Sequence, residues 1–261
     1  MKKVKDLYLK IRIPLWTVVG IAGVFFTWWL ISFILKTSLF PGPQKVIPEM
    51  FRLLGEKETW LGIGGTLLRL IISIAIGMAF GLLLGVIAGL NSAFKAFLRP
   101  FITIFRTIPT AAVIYILIVL VAPNVAPVII VFLMTFPILY ESILSGMTSI
   151  DQNVIEAAQI DGAGLFKKIF KIYLPLSSNY ILLGLVSSIG LGMKVAIMSE
   201  ILAGSESANG LGKLIQNAAI TIEMKPILAY SLIAIIIIGL VDIAVYFIKK
   251  KIKSQTGIKK Q

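Results

Sequence analysis

Residues 61–90 read LGIGGTLLRLIISIAIGMAFGLLLGVIAGL, a run of thirty residues interrupted by a single charge, Arg69. A helix rises about 1.5 Å per residue and the hydrocarbon core of a bilayer is about 30 Å thick, so about 20 apolar residues suffice to cross it. By the same measure the sequence predicts further spans at 14–35, 107–123, 126–147, 178–203 and 226–248, six in all. Runs such as Ile233 to Ile238 are apolar on every face. Hydrocarbon offers no water to open backbone groups, and the period-two alternation of a membrane barrel is absent, so helices are expected throughout. The fold class read from the sequence is all-α: a polytopic membrane protein of about six transmembrane helices.

Composition agrees. Of 261 residues, 58% are hydrophobic and 14% charged, which excludes an ordinary soluble domain. The first apolar run follows Lys2, Lys3, Lys5, Lys10 and Arg12, as in a signal peptide. It is too long for one and lacks a small-residue cleavage site, so it reads as an uncleaved span. The net charge of +13 does not point to nucleic acid, because Lys and Arg are distributed by side. Seventeen lie before the first span, in alternate loops and after the last span, against six in the opposite loops: Lys36, Lys45, Arg52, Lys57, Lys213 and Lys225. The positive-inside rule then places both termini in the cytoplasm. Lys249 to Lys253 reads as a stop-transfer anchor, with lipid or nucleic-acid binding as the alternative.

Cysteine and histidine are both missing, which removes disulfides, thiol redox chemistry, Cys/His zinc sites and histidine acid–base catalysis. No catalytic and no metal-binding residue is expected. No repeat or linker divides the chain, so residues 1–261 are expected to form a single transmembrane domain. The outer segment Lys36 to Trp60 holds a helix-breaking Pro/Gly cluster and then a short interfacial helix or a plain connector. Pro100 and Pro109 are expected to bracket a short helical piece, and Ala122 to Pro127 a tight reversal. In the loop from Gly204 to Lys225, Leu211, Leu214, Ile215, Ala218 and Ala219 fall on one helical face.

Between the fourth and fifth spans lies EAAQIDGAGLFKKIFKIYLP, residues 156–175. Ser149 with Gln152 fits a capping box, so a helix is expected from Ile150, with Ile150, Val154, Ile155 and Ala158 as its apolar stripe. Asp161-Gly162 should end it, since glycine adopts left-handed backbone freely. A second short helix, about Leu165 to Ile172, would set Leu165, Phe166, Ile169 and Phe170 opposite Lys167, Lys168 and Lys171, and Pro175 is expected to force a break. Residues 149–175 thus read as a helix–turn–helix knob with one apolar and one charged side.

The spacing of Glu156-Ala157-Ala158, Gly162, Ile172 and Leu174-Pro175 resembles the EAA signature of ATP-binding-cassette importer permeases. Leu39-Phe40-Pro41 through Thr66-Leu67-Leu68-Arg69, Arg106-Thr107-Ile108-Pro109, Phe136-Pro137-Ile138-Leu139 and Val195 to Leu202 are similar to the nitrate/taurine/sulphonate type. That resemblance implies a type I importer in a bacterial plasma membrane. It implies a second permease copy, two cytoplasmic ATPase subunits coupled through 156–175, and an extracytoplasmic solute-binding protein. The implied cargo is a small polar or anionic solute, sulphonate-, taurine- or nitrate-like, or a thiamine precursor. ATP and magnesium would sit on the ATPase, with no cofactor bound by this chain. Gly210-Leu211-Gly212-Lys213-Leu214 only imitates a P-loop: Ser207 stands where its first glycine belongs, and Leu214 where Ser or Thr is required.

Five ionisable residues fall within the expected spans: Arg69, Glu141, Lys194, Glu200 and Asp242. A charge at the bilayer centre costs about 2.5–3.5 kcal/mol, so each should face protein or water. Glu141 and Asp242 lie near span ends and read as snorkelling or structurally paired. Lys194 and Glu200 are six residues apart and point to different sides of one helix. By depth, Arg69 is the preferred partner for Glu200. Lys194 or Arg69 on a transport pathway, and interhelical bridges that fix packing, are both open. A secondary transporter or channel would need no docking knob, and a membrane enzyme would need acid–base spacing that these carboxylates lack.

Overall fold

The computed structural model describes residues 2–203 and 209–255, so Gly204 of the last outer loop, Ser207 of the imitation P-loop and the last basic residues, Lys259 and Lys260, lie outside the described residues. The described chain is helical, in the order α1 Lys2–Leu35, α2 Pro43–Leu54, α3 Lys57–Leu90, α4 Ser92–Thr107, α5 Thr110–Leu120 and α6 Ala126–Thr148. It continues as α7 Gln152–Ile160, α8 Leu165–Lys168, a π-helical turn Ile169–Tyr173, α9 Leu174–Ala203, α10 Leu211–Ile220 and α11 Met224–Gln255.

Helix α6 is the hub, packed along α3 on one side and α9 on the other. Small residues make that closeness possible. Gly77, Gly81 and Gly85 form a stripe at four-residue spacing on α3 that receives Leu139, Tyr140 and Ile143. A methyl on Gly85 would lie 2.9 Å from the Ile143 side chain. On the other side Gly184 meets Ser142 and Gly146 meets Ser177. Lipid tails are as apolar as leucine, so helices here associate by close packing rather than by escape from water, and backbones must approach for that packing to be strong. Aliphatic side chains including Leu70, Ile74, Ile130, Val131, Met193 and Ala196 fill the space between.

Five helices are long and apolar enough to cross a membrane, and α4 with α5 forms a sixth, bent pair. The expected third span, 107–123, is corrected by this arrangement. α5 has 11 residues, about 16 Å at helical rise and too short to cross alone. α4 joins it across a 93° bend between Thr107 and Thr110. Pro109 accounts for the break, because it holds Ile108 in extended backbone. Contacts fix the direction of crossing. Gly89 near the end of α3 touches Met147 near the end of α6, so both helices finish on one side and α4–α5 must carry the chain back across.

Pro100 brackets nothing: it lies inside α4. Asn91 both ends α3 and starts α4, its side chain accepting hydrogen bonds from the Ala93 and Phe94 amides. On the opposite side of the molecule α2 packs against α11, and Arg52 bridges Glu49 and Glu56, each at 2.6 Å. Trp28 donates to the Pro41 carbonyl and Ser32 to that of Phe40, tying α1 to the connector before α2.

Candidate functional site

The knob is built on a turn that only a few residues can make. Asp161 caps the C-terminus of α7, and Gly162 follows in left-handed backbone at φ +72°. The Ala163 amide donates to the Ala158 carbonyl at 3.0 Å and the Gly162 amide to that of Gln159 at 3.1 Å. This is a Schellman closure, which satisfies carbonyls that the helix end leaves open. The expected start is corrected. Ser149 instead caps the end of α6, donating to the Gly146 carbonyl, and α7 begins at Gln152 with Asp151 accepting from the Asn153 amide. A carboxylate at the position preceding the first helical residue is as good a cap as serine, and sits closer to the helix.

Pro175 does not break the chain either. Leu165–Ala203 runs as a single helical stretch of 39 residues, widened by the π turn at Ile169–Tyr173 immediately before the proline. A helical proline lacks a donor and crowds the carbonyl four residues back. The π turn shifts the bonding register, with the Leu174 amide reaching back to the Ile169 carbonyl.

Inward, Ile150, Ile155 and Ile169 pack on Ile143, Met147 and Tyr173, fastening the knob to the end of the bundle. Outward, the apolar surface is open: Ile160 is 86% exposed and Phe166 77%, with Val154, Leu165 and Phe170 exposed beside them. Glu156, Ala157, Gly162 and Pro175 are exposed, while Ala158, Ile172 and Leu174 are half-buried. Val154, expected in the inner stripe, faces outward instead. Large apolar side chains gathered next to Lys167, Lys168 and Lys171 make a surface suited to another protein.

Near the opposite ends of α3 and α9 sits an enclosed ion pair. Arg69 is 7% exposed and Glu200 fully buried, and the Arg69 Nη1 donates to Glu200 Oε1. Thr66 Oγ1 and the Gly212 amide donate to Oε2 at 2.8 and 2.9 Å. Arg69 Nη2 reaches the Asn209 carbonyl, and Thr66 accepts from the Leu211 amide. Glycines let these elements close up. A methyl at Gly65 would lie 1.9 Å from the Asn209 carbonyl oxygen, and one at Gly212 2.4 Å from that of Ile197. Asn209–Gly212, which overlaps the imitation P-loop Gly210–Leu214, is thus a strap over a buried carboxylate.

The remaining intramembrane charges are apart from this cluster. Lys194 is exposed in a groove of about 390 Å³ between α9 and α11, among Ile197, Ile201 and Ile238. It makes no ion pair among the described residues. Asp242 is exposed and approaches Gly190, one turn from Lys194. Glu141 pairs with Arg106 at 3.2 Å. Arg106, with Lys95 and Arg99, belongs to the acid-free stretch Asn91 to Arg106, which reads from the sequence as a basic loop and not as a site. The available signal was a run of cations at helical spacing with no acid among them.

Residues 77–254 match the family described as binding-protein-dependent transport system inner membrane components. The chain belongs to that family. The matched stretch takes in the knob, both sides of the α4–α6 contact and Glu200, and begins after Arg69. Among curated proteins, no sequence matches the permease. Solved structures of like fold include the inward-facing MetNI methionine ABC transporter, 19% identical with a TM-score of 0.64, covering 74% of this chain and 96% of that one. A bacterial alginate ABC transporter in complex with its alginate-pentasaccharide-bound periplasmic protein is 17% identical, with a TM-score of 0.64 over 100% of this chain and 99% of its own. An amino acid ABC transporter crystallised with histidines is 14% identical, with a TM-score of 0.64 over 78% and 97%. The permease therefore has the type I ABC importer fold and is a multi-pass membrane component of binding-protein-dependent import.

Proposed function

We propose that the chain works as a pair of identical permease subunits in a bacterial plasma membrane, with both termini in the cytoplasm. Two separate ATPase subunits dock on the knob, and an extracytoplasmic binding protein delivers a small polar or anionic solute. The observation that carries this reading is the exposed apolar surface of Ile160, Leu165, Phe166 and Phe170 around a Gly162 turn in left-handed backbone. Such a surface is shaped for a partner's groove. The exposed Glu156 would meet a basic group there, and the exposed Ala157 would let the partner's backbone come close. The side carrying the knob is also the side on which the positive-inside rule puts the basic loops.

In this reading ATP and magnesium reside on the ATPase. The permease supplies two arrangements of its helices, whose balance is biased by nucleotide on one side and by the loaded binding protein on the other. The binding protein would meet the outer surface made by α2, the start of α3 and α10.

Gly162 gives the test. Gly162→Val forces a β-branched residue into left-handed backbone, and ATP-driven uptake by the reconstituted complex is expected to collapse. Gly162→Asn, which tolerates that conformation, is expected to retain much of it. Wild-type uptake by the valine variant, or uptake by wild-type permease vesicles under an ion gradient with no ATPase present, would overturn the reading in favour of a secondary transporter.

A further inference from the structure

Helix α4 has three different faces. Leu98, Ile102 and Phe105 are packed against α3 and α6. Phe97, Phe101 and Ile104 are exposed, at 61, 49 and 52%. Lys95, Arg99 and Arg106, spaced four and seven residues apart, line a groove of about 680 Å³ whose other wall is α6, with Glu141 and Ser145, and whose end is Ser92. At 100° per residue the cationic stripe lies on roughly the opposite side of α4 from the exposed phenylalanines.

The Arg106 and Glu141 side chains are 59 and 45% exposed, although both belong to membrane-crossing elements. Charges there must face protein or water rather than lipid, and the phenylalanine face is the one suited to lipid. The groove therefore opens on water. Glu141 engages only Arg106 at ion-pair distance, and Lys95 and Arg99 have no acid that close among the described residues. Three cations against one carboxylate leave the groove with a net positive charge, and low-dielectric walls concentrate such a field.

We infer that the α4–α6 groove is an anion-binding station on the transport pathway, in which Lys95, Arg99 and Arg106 receive the carboxylate, sulphonate or phosphate oxygens of a small water-borne solute. This rests on the chain being a permease, and it narrows the proposed cargo from polar or anionic to anionic. Arg99 and Arg106 offer paired N–H donors that suit such oxyanions, and Lys95 adds a mobile point charge.

The lack of cysteine permits a direct test on the full chain in phosphatidylcholine vesicles. Thr103→Cys places one thiol among the cations, and Phe97→Cys one on the opposite face. A sulphonate-bearing methanethiosulphonate is expected to modify Thr103→Cys about tenfold faster than its trimethylammonium counterpart. Added sodium sulphate should slow it, and the preference should vanish when Lys95→Gln and Arg99→Gln are added. Equal rates, or a preference for the cationic reagent, would overturn the inference. So would phosphatidylglycerol closing the groove where sulphate does not, which would give it to lipid headgroups. Phe97→Cys reacting as fast as Thr103→Cys would show that α4 does not present these faces. Failure here with ATP-driven uptake intact leaves the importer reading standing. An anion-selective groove in a permease indifferent to Gly162→Val does the reverse.

Discussion

Glu200 is enclosed by donors: a guanidinium, a hydroxyl and a backbone amide share its two oxygens. Removing one partner of a buried pair costs about 3–5 kcal/mol, chiefly because the other charge is left uncompensated. Arg69→Met should therefore lower the melting temperature of the purified permease sharply. Arg69→Met with Glu200→Gln should recover part of the loss, because glutamine keeps an acceptor for Thr66 and Gly212 but carries no charge. A double variant less stable than Arg69→Met alone would contradict this account of the cluster. The pairing itself could be read from depth along two apolar runs. Its other half could not, since Thr66 and the Gly212 amide reach Glu200 only because a glycine-rich strap folds back over α3 and α9. The same holds at the knob. Ser149 and Asp151 both have cap chemistry, and which of them caps α7 depends on where α6 stops.

At the level of elements, length and apolarity were sufficient to place α1, α3, α6, α9 and α11, but proline misled at Pro100 and Pro175. Pro100 and Pro175 sit within helical runs, whereas Pro109 does break the chain, near the start of the expected third span. A proline's effect depends on whether neighbouring turns can widen or the missing bond is satisfied elsewhere, and the local sequence does not state that. Glycine was the more informative residue once its face was known. Gly85→Val would drive side-chain atoms into Ile143, and overpacking of this kind costs about 1–3 kcal/mol. Gly64 on the same helix has nothing within 4 Å, so Gly64→Ala should match or slightly exceed wild type. Thermal unfolding of the two variants in one detergent checks the contrast. Equal melting temperatures would mean that the α3–α6 seam is not packed as described.

For the whole molecule, five long helices and one bent pair taken as a span give six crossings, and the proposed orientation then puts both termini in the cytoplasm. A C-terminal green fluorescent protein fusion is expected to fluoresce, as it does only when retained in the cytoplasm. Asn124→Cys, in the turn between α5 and α6, should react with a membrane-impermeant thiol reagent added from outside. Labelling of that position only after permeabilisation would invert the proposed orientation. The unbroken run from Leu165 to Ala203 gives this topology a mechanical property. Its 39 residues correspond to about 58 Å at helical rise. One end carries Phe166 on the exposed knob, and the other carries Glu200 beneath its glycine strap. A rod of that length works as a lever: a tilt of about 10° at one end corresponds to a sweep of about 10 Å at the other. A motion imposed on the α8 end of the knob thus has a continuous helical path to the Glu200 end, with no loop between them.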